Sequence, residues 1–311
     1  MLFGIMHLTV DLDNLWIYEQ EYGSSVSGRY DLLFDEAMPR MLKLFARHNA
    51  LATLFVVGRD LERPSCQEFC REAVRAGHEI ANHSYSHAGN WHRLSFNEKY
   101  VEIMRAHELI EKHVGVSPVG FRGPGYYLDL DMVKILLQEG YRYDSSVLPS
   151  FANQLMQLYI LLRTGRKIDK VFGRKRWIFA SQKVTKIHHP DDPHKFLYEL
   201  PISTAPYIRW PIHTTFLYMF GTRYLELVLP TLRSWNHGVY VFHGIDTLDY
   251  QQDEKLSKMV LPLKKPLDER IALIEWLLNS FKQEKFETSC AGLDSLEPSL
   301  VARSLLLNGV I

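Results

Sequence analysis

Short apolar runs alternate with amphipathic stretches along most of the chain, and that rhythm sets the expected fold. IMHLTVD (5–11) and ATLFVVG (52–58) read as buried strands, with HEIAN (78–82), VGFR (119–122) and YRYDS (141–145) as shorter ones. YELPI (198–202), GVYVFH (238–243) and KFETS (285–289) continue the series. Helical spacing falls between them, over 34–48, 65–76, 95–113, 129–139, 215–232 and 267–282. Ser65 reads as an N-cap, Ser95 with Glu98 as a capping box, and Gly77 and Gly140 as helix ends. Repeated strand–helix units predict an α/β fold, a deformed (β/α)7-8 barrel of parallel strands in a single domain over 1–311. A doubly wound open sheet is the alternative, yet the turn after the first strand, DLDNLW, has no Gly-rich phosphate signature.

One stretch, about 147–197, interrupts the alternation. It holds an apolar run, QLMQLYILL, followed by a basic one. Charge changes the picture here. The chain of 311 residues has 36 Lys plus Arg and 36 Asp plus Glu, so its formal net charge is zero. Nine basic residues against one acidic lie between Arg163 and Lys186, leaving that segment at +8 and the remainder at −8. The zero is a cancellation. With 46% hydrophobic and 23% charged residues the chain is not of disordered type. Three cysteines (Cys66, Cys70, Cys290) without CxxC spacing suggest a reducing compartment. The start, MLFGIMHLTVDLD, does not read as a signal peptide, so a cytoplasmic location is expected.

Candidate chemistry gathers at predicted strand ends. Asp11 and Asp13, two apart on a strand, point to one side. Taken alone they also read as a pair of turn aspartates. His83 and His87 stand at i and i+4, spacing that puts two imidazoles on one side of a helical turn. Arg122 ends a strand before the Gly123-Pro124-Gly125 turn, and His243 ends the strand VYVF. Each has a bland reading by itself, as a chance spacing, a surface turn or a core histidine. Together, all six fall at the C-terminal ends of four separate strands, the face where a parallel barrel carries its active site. An Asp with two His is a three-ligand set that leaves a position open for water.

AGHEIANHSYSH, with TVDLD before it and FRGPGYY after it, resembles the polysaccharide deacetylases, the NodB-homology group of carbohydrate esterase family four. The resemblance covers roughly 5–145 and resumes at 238–290. It implies metal-dependent removal of an N-acyl group from an amino sugar. It assigns Asp13, His83 and His87 as ligands of one divalent metal, with zinc favoured and manganese or cobalt as alternatives. It makes Asp11 the general base, Arg122 its charge partner, His243 the general acid, and Ser84 a support of the loop. A backbone N–H near Tyr126 is expected at the oxyanion, with Pro124, Tyr126 and Asp144 as substrate contacts. Two departures stand out. Leu12 separates the aspartates, as in DxD-type branches, and YDSSVLP replaces the family's Asp-Trp motif.

The interrupting segment bears on the substrate. Apolar plus basic composition is what an anionic membrane attracts, at about 1 kcal/mol per Lys or Arg near the surface. Arg163, Arg166, Arg174, Lys175, Arg176 and Trp177 are the expected lipid or phosphate contacts, joined by the aromatic stretch 206–224. This character resembles the cytoplasmic branch acting on undecaprenyl-phosphate amino sugars, as in lipid A modification. The expected partner is therefore a lipid-linked amino sugar at an anionic membrane, not a nucleic acid. A soluble deacylase of another amide, allantoinase-like relatives included, needs the same metal site but no basic segment. An inactive carbohydrate-binding module is the remaining alternative, although no ligand, base or acid is missing.

Overall fold

A computed structural model describes residues 4–22, 28–152, 173, 175–189, 192–233, 237–250, 254–281, 284–296 and 302–305. Its strands are β1 (Ile5–Asp11), β2 (Ala52–Val56), β3 (Glu79–Asn82), β4 (Gly120–Phe121), β5 (Tyr143–Asp144), β6 (Thr185–His189), β7 (Asp192–Glu199), β8 (His237–His243), β9 (Lys285–Phe286) and β10 (Ala302–Leu305). Among the described residues they form one sheet in the order β10-β6-β7-β5-β4-β3-β2-β1-β8, with β9 also on β1. Every pairing is parallel except β6 with β7. Beyond β7 the chain keeps bonding sideways. Leu200 N–H donates to Asp144 O, Ile202 N–H to Val147 O, and Ser203 N–H to Val239 O on β8 at 3.1 Å. That last bond links the extension of β7 to β8 and closes a distorted barrel.

The helices are α1 (Leu15–Tyr22), α2 (Met38–Arg47), α3 (Pro64–Arg75), α4 (Phe96–Val114), α5 (Leu130–Gln138), α6 (Thr214–Phe220), α7 (Thr222–Arg233), α8 (Glu254–Met259), α9 (Leu267–Ser280) and α10 (Ser289–Asp294). Their apolar stripes cover the sheet: α2 buries Met38, Met41, Leu44 and Phe45, and α9 buries Ile274, Leu277 and Leu278. The capping box on α4 forms as read, and Gly115 ends that helix at φ 84°. Lys99 on α4 bonds Asp129, which caps α5, at 2.7 Å, so the two helices are tied where they flank β4.

Several sequence expectations shift. Ser65 lies inside α3, because Pro64 opens that helix, and its hydroxyl donates to Asp31 instead. The helix expected over 215–232 breaks at Gly221, whose φ of 70° ends α6. The strand expected at 285–289 stops at Phe286, since Thr288 caps α10 by accepting from Ala291 N. The strand expected at 198–202 is centred earlier, as β7, and pairs with β6 inside the stretch that had no clear strand–helix unit. TKIHH and DPHKFLYE carry too few apolar residues to register as strands. No helix among the described residues is long and apolar enough to cross a membrane.

Candidate active site

β1, β3, β4 and β8 end at one edge of the barrel, and their last residues lead into the site. Asp13 follows β1, where Leu12 N–H donates to Phe55 O at 3.0 Å and Asn14 is held by the buried Asp60 at 2.7 Å. His83 and His87 follow β3 on an irregular loop, not the helical turn their spacing suggested. Ser84 at φ 64° and His87 at φ 51° bend it so that both rings face one point. Asn82 accepts from Ser84 N, Gly58 N–H donates to Ser84 O, and Glu102 on α4 accepts from both the N–H and hydroxyl of Ser86. The loop is clamped from three sides.

The result is a cradle. Asp13 Oδ1 lies 3.5 Å from His83 Nε2 and 3.3 Å from His87 Nε2, and one ligand atom of each residue falls within 4.8 Å of the others. His83 Nδ1 sits 2.6 Å from the Arg122 carbonyl oxygen, an acceptor only, so that nitrogen carries the proton and Nε2 keeps its lone pair. Asp13 Oδ1 is buried and makes no well-formed hydrogen bond among the described residues. Burial alone raises the Asp13 carboxyl, yet His87 and His83 outweigh it and hold the group well below the usual carboxylate range. For His87 burial favours the neutral ring, and the Asp13 carboxylate reverses that and raises it. An anionic oxygen and two imidazole lone pairs converging in a mostly buried site fit a divalent cation.

Beside the cradle lies a buried ion pair. Arg122 Nη1 donates to Asp11 Oδ1 at 2.6 Å and to Thr9 Oγ1 at 3.0 Å. Nε and Nη2 bond the carbonyl and hydroxyl oxygens of Ser145, both at 2.9 Å, and the guanidinium stacks on Phe55. Asp11 and His243 are register partners on β1 and β8, so base and acid candidates stand on neighbouring strands. His243 is half-buried, and its backbone N–H donates to Asp246 Oδ2 at 2.9 Å. Tyr126 is also at the site: burial, then the Asp11 carboxylate, push its phenol far above the ordinary range, so it stays a neutral donor.

The structure thus brings Asp11, Asp13, His83, His87, Arg122, Tyr126 and His243 to one edge. The Tyr126 N–H is taken by Gly123 O at 3.0 Å, because the Gly123–Tyr126 turn closes on itself, so the oxyanion donor expected near Tyr126 is not this amide. Three expectations need correction. Pro124 is buried, and Asp144 is fully buried with both oxygens bonded to Ser146; neither presents a side chain to substrate. Trp177 is 1% exposed and packs in a cluster with Trp91, Phe121, Tyr127 and Leu128, where apolar burial outweighs any lipid contact. Arg163, Arg166 and Arg174 lie outside the described residues, as does the Lys175 side chain, while Arg176 is exposed. His213, whose ring centroid is 6.4 Å from that of His243, was not singled out, and neither were Glu102 and Glu199. His213 sits in a stretch that read as aromatic and membrane-facing.

A barrel carrying an Asp–His–His cradle next to an anchored carboxylate and a histidine has the donor set that hydrolytic metal sites use. Comparison with known proteins narrows the reading. Residues 23–143 match the family described as Polysaccharide deacetylase. The chain is similar to the peptidoglycan deacetylase of Helicobacter pylori, 31% identical over 45% of this chain and 46% of that protein. It is also similar to the peptidoglycan-N-acetylglucosamine deacetylase of Bacillus cereus, 29% identical over 35% of this chain and 42% of that one. The chain therefore spans less than half the length of these relatives. Across the whole fold it resembles the crystal structure of a putative polysaccharide deacetylase from Mycobacterium smegmatis, with TM-score 0.65, 18% identity and coverage of 97% and 93% of the two chains.

Proposed function

We propose that this protein is a metal-dependent hydrolase that removes an N-acyl group from an amino sugar of polysaccharide or peptidoglycan type. The observation that carries the reading is the Asp13–His83–His87 cradle standing beside the buried Asp11–Arg122 pair, with His243 on the next strand. The family match over 23–143 and the two deacetylase relatives support it. A divalent cation in the cradle, zinc before manganese or cobalt for this donor set, supplies Lewis acidity toward the acyl carbonyl and a water. Asp11 accepts the proton of the attacking water while Arg122 fixes its carboxylate and balances its charge. His243 protonates the departing nitrogen, since an amine leaves poorly without that proton. The Tyr126 phenol donates to substrate oxygens.

A finer form of the reading places the amino sugar on a polyprenyl phosphate at the cytoplasmic face of a membrane. Phe179, Tyr207 and Ile208 favour it, at 84%, 99% and 59% exposure beside the basic segment. Gly173 N–H donates to Gly125 O at 2.8 Å, which sets Gly173 against the turn that carries Tyr126.

The core reading is tested by measuring acetate or formate release from N-acylated amino-sugar oligomers alongside bound metal. Asp11→Asn is expected to keep metal and lose turnover by about 100-fold or more, whereas His87→Ala loses the metal itself. Near-normal turnover in Asp11→Asn refutes the base assignment. A metal-loaded wild type that releases no acyl group from any such oligomer refutes the reading.

A further inference from the structure

Behind Arg122, β5 and β7 bring two carboxyl groups together. Asp144 and Glu199 are register partners on these parallel strands, so both side chains leave the sheet on one face. They are 0% and 1% exposed, and each carboxyl acts electrostatically on the other. Two carboxylates this close and this dry are not both ionised unless a cation lies between them. The cation nearby is Arg122, and its nitrogens are engaged by Asp11, Thr9 and Ser145. The remaining bonds locate the proton. Asp144 accepts from Ser146 N at 2.8 Å and Ser146 Oγ at 2.7 Å, and Glu199 Oε1 accepts from Val147 N at 3.0 Å. No donor reaches Glu199 Oε2 among the described residues. A proton on that oxygen makes it the donor to Asp144.

The pair reaches the site through one residue. Ser146 Oγ accepts from Gly123 N at 2.7 Å, and Gly123 opens the turn that carries Tyr126. That turn has no slack, since a Cβ on Gly123 would come within 2.0 Å of the Tyr127 carbonyl. Ser145, one residue back, holds the other side of the Arg122 guanidinium.

We propose that Asp144 and Glu199 share a single proton and act as a positioning element that seats the Ser145–Val147 segment, and with it Arg122 and the Gly123–Tyr126 turn, against the reaction centre. Asp144 is thereby reassigned from substrate contact to support. The catalytic consequence rests on the hydrolase reading; the shared proton does not.

Burial, then the Asp144 charge, push the Glu199 carboxyl well above its ordinary range. The groups facing it are Asp144 on β5, Arg122 after β4 and the neutral Thr185 on β6. A native state that keeps a proton the unfolded chain gives up loses stability as pH rises from Glu199's ordinary 4.5 through the native value. Glu199→Gln replaces the shared proton with an amide N–H and keeps an acceptor for Val147 N–H. Glu199→Leu keeps neither.

Infrared difference spectra of the full-length protein at neutral pH are expected to show a protonated-carboxyl C=O band in wild type that Glu199→Gln lacks. Denaturant midpoints are expected to fall with rising pH less steeply in Glu199→Gln than in wild type. The kcat of Glu199→Leu is expected to lie at least ~10-fold below that of Glu199→Gln, with KM much less affected, as a displaced turn requires. An unchanged band and unchanged pH slope overturn the shared proton. Equal kcat in the two variants overturns the positioning role. The spectra and midpoints need no substrate, so they decide the proton even if the hydrolase reading fails.

Discussion

Arg122 engages each of its guanidinium nitrogens, and no other side chain could satisfy Asp11, Thr9 and Ser145 at once. Its place after a strand and before Gly-Pro-Gly was legible in the sequence, as was the His83–His87 spacing. Residues whose partners lie far along the chain were not. His213 is such a case: it is buried beside His243 on a segment that bridges to Val241 of β8. Burial, then the like charge of His243, lower His213 from 6.5 to about 3. It therefore stays neutral through the ordinary histidine range, so no imidazolium forms at this position beside the His243 ring. Between about pH 3 and 6.5 the unfolded chain binds a proton at this position that the native protein refuses. Stability from this residue is complete above pH 6.5 and is lost as pH falls through that window. His213→Gln is expected to reduce the rise of unfolding free energy with pH between 4 and 6, which denaturant titrations at several pH values measure. Parallel curves for variant and wild type would show that His213 does not titrate this way.

At the scale of elements, the loop 83–87 gets its shape from neighbours rather than from its own propensity. Two of its residues take positive φ, a conformation that costs about 1–3 kcal/mol each when unsupported. Glu102 supplies the main support, joining the loop to a helix whose start is fixed by the Ser95–Glu98 capping box. That box, the apolar strands and the helix faces were readable because each is encoded within a few residues. The β6–β7 pair was not, because its stability comes from lateral pairing of strands with few apolar positions. The loop's dependence on α4 gives a prediction. Glu102→Ala is expected to weaken zinc binding by roughly 10- to 100-fold, as loss of a ligand-orienting contact does, with little change in far-UV circular dichroism. Competition titration with a chromogenic chelator reads the affinity. An affinity within about 2-fold of wild type would mean that Asn82 and Gly58 hold the loop unaided.

At the scale of the whole molecule, the zero net charge conceals a −8 body and a +8 segment at 163–186, and the structure changes which aromatic residue matters there. Composition could not separate Trp177 from Phe179. Packing does: Trp177 enters the core, and Phe179 projects at 84% exposure. Arg209 donates to Ala180 O at 2.7 Å and Gln182 to Thr204 O at 3.2 Å, so the segment holding Phe179 lies against the loop of Tyr207 and Ile208. An exposed apolar cluster beside basic residues suits an anionic bilayer, with side chains entering the interface and charge holding them there. Binding should then need both terms. The full chain is expected to co-sediment with phosphatidylglycerol vesicles at low salt, less so with phosphatidylcholine vesicles, and to be released as salt screens the charge. Phe179→Ser with Tyr207→Ser and Ile208→Ser is expected to lower partitioning several-fold while leaving turnover of a soluble amino-sugar oligomer intact. Equal binding to both vesicle types, or no effect of the triple change, would remove the membrane from the proposed function and leave a deacylase of soluble or wall-bound sugars.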